Sequence, residues 1–196
     1  MLSSTILRRI FIRTQPTPNP SFLKFIPGII LLRDGTLEFT SPRQGQNFPL
    51  VIRLFQIDGI SRVFIAKDYL SIGKTVSADW SILKPLIFEV LMNSLTNGES
   101  LISEVPPSED TKILDTDSQD LAMVKEIIDF RIRPFVRDDG GDVRLVEFDE
   151  ASGKVILEMR GSCSGCPSSA ITLKNGIERM LTHYVKSVKT VEAVDG

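Results

Sequence analysis

The chain has 196 residues, 42% of them apolar and 24% charged, with a formal net charge of −2. That is enough chain for one large domain or two small ones, and without a basic surplus there is no reason to expect nucleic acid as a partner. No apolar run approaches the ~20 residues of a membrane-crossing helix, and two cysteines are too few for a disulfide framework. Their spacing reads as a metal or redox site in a reducing compartment.

The start of the chain differs from the rest. No acid occurs before Asp34, whereas Arg8, Arg9 and Arg13 are interleaved with Leu2, Ile6 and Ile10 at helical spacing. This is the composition of a short organelle-targeting presequence over residues 1–13, to be removed from the folded protein. Residues 14–98 read as a first domain. Pro16, Pro18 and Pro20 impose an extended approach. Phe22–Ile26 and Ile29–Leu32 flank a Pro27-Gly28 turn as a hairpin, with Thr36–Thr40 as a third strand. Leu50, Val51, Leu54 and Phe55 set a helical period. Ile60–Ala66 and Tyr69–Lys74 form a second hairpin, and Asp79 caps a helix that Asn97-Gly98 stops. The acids here, Asp34, Glu38, Asp58, Asp68, Asp79 and Glu89, fall at turns, caps and polar faces and read as structural, with no catalytic constellation.

Residues 99–119 are acidic and contain Pro106-Pro107, the composition of a flexible, extended linker. The second domain, 120–196, opens with a helix capped by Ser118 or Asp120. Its apolar side is Val124, Ile127, Ile128, Phe130, Ile132 and Phe135, with Pro134 near its end. An Asp139–Asp142 turn follows, then a hairpin of Val143–Phe148 and Lys154–Met159. After the loop carrying Cys163 and Cys166 come a helix from Pro167 and a strand at Val188–Val194. The fold class is α+β: two small domains, the second in α-β-β-α-β order.

The loop Gly161-Ser-Cys163-Ser-Gly-Cys166-Pro167 places two thiols at the mouth of a helix. Three chemistries suit it. A helix start stabilises a thiolate, as dithiol redox chemistry requires. Structural zinc and iron–sulfur clusters both want four ligands. The other soft ligand, His183, lies 16 residues beyond Pro167 on the same helix, about 24 Å away at helical rise. One chain thus offers two thiolates, and a four-ligand centre draws the rest from elsewhere, most economically from a second copy related by two-fold symmetry. Against dithiol chemistry, no aromatic precedes Cys163 and the helix follows a hairpin, not a βαβ context. Ser162, Ser164 and Gly165 leave small side chains and exposed amides that can face an anionic cluster. Cluster, redox and zinc readings remain open on these grounds.

The cysteine loop, with the helix sequence Pro-Ser-Ser-Ala-Ile-Thr-Leu-Lys-Asn-Gly-Ile-Glu178, closely resembles the NifU C-terminal-like domain. Ile132-Arg-Pro134 and Asp139-Gly-Gly-Asp142 resemble the same domain's first helix and turn. The opening Thr14-Gln-Pro-Thr-Pro-Asn-Pro-Ser-Phe-Leu-Lys-Phe-Ile-Pro-Gly28 is similar to the N-terminal domain of Nfu-type scaffold proteins of mitochondria and some bacteria. The resemblance implies a carrier and not an enzyme. Its expected cargo is a [4Fe–4S] cluster bridged between two chains through Cys163 and Cys166, with dimerisation on loading. It further implies apo iron–sulfur clients and upstream assembly factors as partners, no membrane, and a mitochondrial matrix location. Gly161, Gly165 and Pro167 are expected to shape the loop, with Asp139–Asp142 a structural turn near it. The first domain is expected to dock or organise partners. The alternative is a dithiol oxidoreductase using the same two cysteines.

Overall fold

Extended chain begins with strand β1 (Arg13–Pro16), which pairs antiparallel with β2 (Phe22–Ile26). The computed structural model describes residues 11–96, 109–164 and 167–195. The expectations for residues 1–10, for 97–108, and for Gly165 and Cys166 lie outside these. Ile12 is buried in the core and Arg13 pairs with Ile26, so the fold begins before the expected presequence boundary. The partner of β2 is also different from the expected one. Residues 29–32 form no strand: Leu31 and Leu32 are adjacent and both fully buried, which the alternation of a half-buried strand forbids. Their amides instead donate to the Lys67 carbonyl, at 2.6 and 3.2 Å. β1 takes the vacant edge, where Pro16 is tolerated without its N–H.

β3 (Leu37–Phe39), helix α1 (Pro49–Phe55), β4 (Ile60–Ile65), β5 (Leu70–Lys74) and helix α2 (Trp80–Thr96) complete the first domain. Its antiparallel sheet has the order β1-β2-β5-β4-β3. Phe25, Val63, Leu70 and Ile72 on one face pack against Leu50 and Leu54 of α1 and Leu83, Ile87 and Leu91 of α2. Asp79 accepts from the Ser81 amide at 2.7 Å, as expected of a cap. Period two sends Lys24, Glu38, Arg62, Phe64 and Ser71 to the opposite face. Among the described residues no helix of this domain covers that face, yet Phe64 and Ser71 have no exposed surface.

The cover is the second domain. Ser118 caps helix α3 (Gln119–Ile127), its hydroxyl accepting from Leu121 N at 3.1 Å. The helix expected to run on to Pro134 is interrupted by a π turn over Ile128–Ile132 before α4 (Arg133–Asp138). Pro134 has no N–H to give, and its ring crowds the carbonyl four residues back, so the wider turn accommodates it. The extra residue shifts the phase. Phe130 and Phe135, expected on the apolar side, are 74% and 62% exposed, while Ile128, Ile132 and Val136 are buried.

β6 (Gly141–Asp149) and β7 (Lys154–Gly161) form the expected hairpin, and helix α5 (Pro167–Tyr184) leads to β8 (Thr190–Asp195). β8 pairs parallel with β7. This corrects one expectation: β7–α5–β8 is a βαβ unit, because the helix returns the chain to run beside β7 in the same sense. The part of the acidic stretch that is described is pinned to this domain. Asp110 bonds Arg133 at 2.5 Å and accepts from Leu145 N at 2.9 Å, and Lys125 Nζ reaches Asp117 at 2.6 Å and the Lys112 carbonyl at 2.9 Å. A buried Arg133 needs carboxylates around it, and this segment supplies one.

Candidate metal centre

The loop that carries Cys163 starts where β7 ends. Gly161 takes φ +62°, a left-handed conformation that turns the chain without a Cβ to obstruct it. Ser162 N donates to Gly140 O at 3.4 Å, Cys163 N to Arg160 O at 3.4 Å, and Ser164 N to Gly161 O at 3.2 Å. The Ser164 hydroxyl also reaches Gly161 O at 2.9 Å, and Ser162 Oγ donates to Asp139 O at 2.6 Å. Of the loop amides expected to lie open toward a cluster, those of Ser162, Cys163 and Ser164 are turned inward and occupied in this conformation. Gly141 passes behind the loop so closely that a Cβ there would sit 2.5 Å from Cys163 Sγ and 2.6 Å from the Arg160 carbonyl.

Cys163 is 5% exposed and packs into the core of the second domain. Burial pushes its thiol up to about 12. The Ser162 hydroxyl opposes that shift, and the charges of Asp139, Asp142 and Glu38 add to it. A thiol held this way keeps its proton at neutral pH and must lose it before acting as a nucleophile or a ligand. Beside it lies a cavity of about 670 Å³ between the π turn, α4 and α5. Ile177, Met180, Phe135 and Leu173 line it, and Arg131 and Arg179 lie at its wall. Pro18, from the first domain, forms part of that wall.

Three more residues of the first domain hold the loop itself. Glu38, whose side chain is 4% exposed, accepts from Gly161 N at 2.9 Å, bonds Arg62 at 2.9 Å and lies 3.4 Å from Arg160. Arg62 Nη1 donates to Ser164 Oγ at 2.7 Å, and Asn19 Nδ2 to Ser164 O at 3.0 Å. Behind them, Lys24 Nζ donates to the carbonyls of Arg137 and Asp138, Thr36 Oγ1 to Asp142, and Tyr69 OH to Gly141 O.

Both halves of this arrangement match known families. The family described as "Scaffold protein Nfu/NifU N terminal" matches residues 12–98, and the "NifU-like domain" matches residues 124–192. The chain is 45% identical over 195 residues to the "NFU1 iron-sulfur cluster scaffold homolog, mitochondrial" of Drosophila persimilis, covering 99% of this chain and 68% of that one. The chain belongs to the Nfu family of iron–sulfur cluster scaffolds. A second Nfu relative, "NifU-like protein 5, mitochondrial" of Arabidopsis thaliana, is 47% identical over 187 residues, or 94% of this chain and 68% of the relative. The solution structure of a NifU-like protein from Saccharomyces cerevisiae matches 49% of this chain and 87% of its own, with 29% identity and a TM-score of 0.44. The compartment is the mitochondrion, as the names of these relatives have it and as the acid-free N-terminus leads one to expect.

Within this Nfu frame the structure brings Cys163, Gly161 and the Asp139–Asp142 turn together, as expected, while Cys166 lies outside the described residues. His183 is on an exposed face of α5, its ring 4.8 Å from that of Tyr184. Sequence reasoning missed Glu38, Arg62 and Asn19. Glu38 was expected on a polar face, and it is on one. Nothing in its strand indicates that the face is occupied by another domain. The signal that was available is the pairing of Arg62 and Phe64 on an uncovered face of β4.

Proposed function

We propose that the protein is an iron–sulfur cluster carrier that is not itself an enzyme. It takes a [4Fe–4S] cluster as cargo, holds it through Cys163 and Cys166 of two chains, and passes it to apo-proteins. The observation that carries this reading is the poverty of ligands in one chain. Among the described residues no three His, Cys, Asp or Glu side chains converge on a point that could hold a metal. The sequence supplies only one other thiol, Cys166, so a four-ligand centre draws its remaining ligands from a second chain. Upstream, an assembly factor must donate the cluster. A shared centre is also readily surrendered, because separating the chains exposes it.

Anaerobic reconstitution with iron and sulfide is expected to give about four irons per two chains, with dimerisation on loading. Cys163→Ser or Cys166→Ser is expected to abolish both, and loading that survives both substitutions would overturn the reading. The βαβ setting of α5 favours one rival, dithiol exchange. That rival predicts a reversible Cys163–Cys166 disulfide in a monomer that reduces model disulfides. Against it, no aromatic residue directly precedes Cys163.

A further inference from the structure

The outer face of the first domain's sheet is occupied by the element expected to meet a second copy. Ser164 lies between the two cysteines in sequence and is 1% exposed, and Ser162 and Cys163 are 3% and 5% exposed. Ser164 is held from above by Asn19 and Arg62, and the loop's first amide is held by Glu38. For two loops to share one cluster, each must come within bonding distance of the same iron atoms. The described half of the loop, residues 161–164, is covered in this way and cannot be met by a symmetry mate while the first domain stays docked.

We propose that the first domain is a releasable clamp on the cysteine loop: docked, it keeps the loop in a closed, metal-free form, and it lifts away when a second copy comes to share a cluster. The inference rests on the shared-cluster reading above and adds a competitor for the same face. Two features of the contact suit release. Its apolar centre is small, with Phe64, Ala66 and Tyr69 buried there and Ile26 packed against them. The remainder is polar and ionic, made by Glu38, Arg62, Arg160, Lys24, Thr36 and Asn19. Interfaces between domains of one chain that are built this way behave like transient protein–protein contacts, and relative motion is their ordinary state.

The test uses the full chain without metal, as the parent and as Arg62→Ala and Glu38→Gln. Glu38→Gln keeps the shape and a carbonyl for Gly161 N while removing the charge that pairs with Arg62 and Arg160. Neither residue is a proposed ligand. The rate of iodoacetamide alkylation at Cys163, read on its peptide by mass spectrometry, tracks the population of the open form when reclosing is fast. Loss of a charged hydrogen bond across the contact is expected to raise that rate about tenfold. Small-angle scattering is expected to show an expanded chain, with an unchanged circular dichroism spectrum. On reconstitution with iron and sulfide the variants are expected to dimerise faster than the parent. Alkylation within twofold of the parent in both folded variants, with loading at the parental rate, overturns the clamp and leaves the shared cluster standing. Failure of every form, the parent included, to take up iron overturns the shared-cluster reading instead.

Discussion

Gly141 shows how little room the cysteine loop has. With Cys163 Sγ 2.5 Å and the Arg160 carbonyl 2.6 Å from where a Cβ would lie, Gly141→Ala must push either a sulfur or a backbone strand aside. Overpacking of this kind costs about 1–3 kcal/mol. The expected outcome is a lower urea midpoint together with faster alkylation of Cys163, since the side chain most easily displaced is the thiol. An unchanged midpoint would mean that β6 and the loop lie further apart than they do here. The same crowding keeps the thiol in the domain's core, and burial in turn keeps it protonated. Asp139–Asp142 was legible as a turn from its glycines. Its place near the cysteine loop was expected from the family resemblance alone, because turn and loop are joined by sheet pairing of β6 with β7 and not by local sequence.

Among the elements, the break between α3 and α4 has the plainest consequences. A regular helix through Pro134 would place Phe130 with Ile127 and Val124 on one buried stripe. The π turn instead leaves Phe130 74% exposed and Ile132 2% exposed. Phe130→Ser is therefore expected to change stability by less than about 0.5 kcal/mol, whereas Ile132→Ala is expected to cost about 2–5 kcal/mol. Thermal or urea unfolding of the two variants checks the phase directly, and the opposite ranking would restore the regular helix. Most elements were legible from period and punctuation: α1, α2, the β4–β5 and β6–β7 hairpins, α5 and β8 all lie close to their expected positions. The exceptions share a cause. The run at residues 29–32 is apolar because it plugs a core, and β1 is a strand although it is polar and contains a proline. In both cases a tertiary partner overrides the local pattern.

For the molecule as a whole, the contact between the two domains is the feature that joins fold to function. Phe64 is at its centre, its ring against Gly161 at the end of β7. Phe64→Ala is expected to weaken docking: scattering should show a larger radius of gyration, and unfolding should lose the cooperativity between the two domains. A chain that stays equally compact would show that the polar contacts alone hold the domains together. The residues that make this contact, Glu38, Arg62 and Lys24, are ordinary polar residues of alternating strands, and a solvated sheet face would carry the same ones. Local pattern specifies which side chains share a face but not what lies opposite.

The sequence by itself determined the α+β class, two domains, the family, and two thiols on a tight loop at a helix start with too few companions for a complete metal site. The class, the domains and the thiol count follow from composition, periodicity and spacing along the chain, and the family from the resemblance of its motifs. Only the tertiary structure decided that Cys163 is turned into the core, that the amides of Ser162, Cys163 and Ser164 are occupied, and that the first domain lies over that part of the loop. The last of these depends on contacts between residues more than a hundred positions apart, such as Glu38 with Gly161 and Asn19 with Ser164. Such contacts form because an uncovered sheet face bearing Phe64 is lower in free energy against another surface than against water.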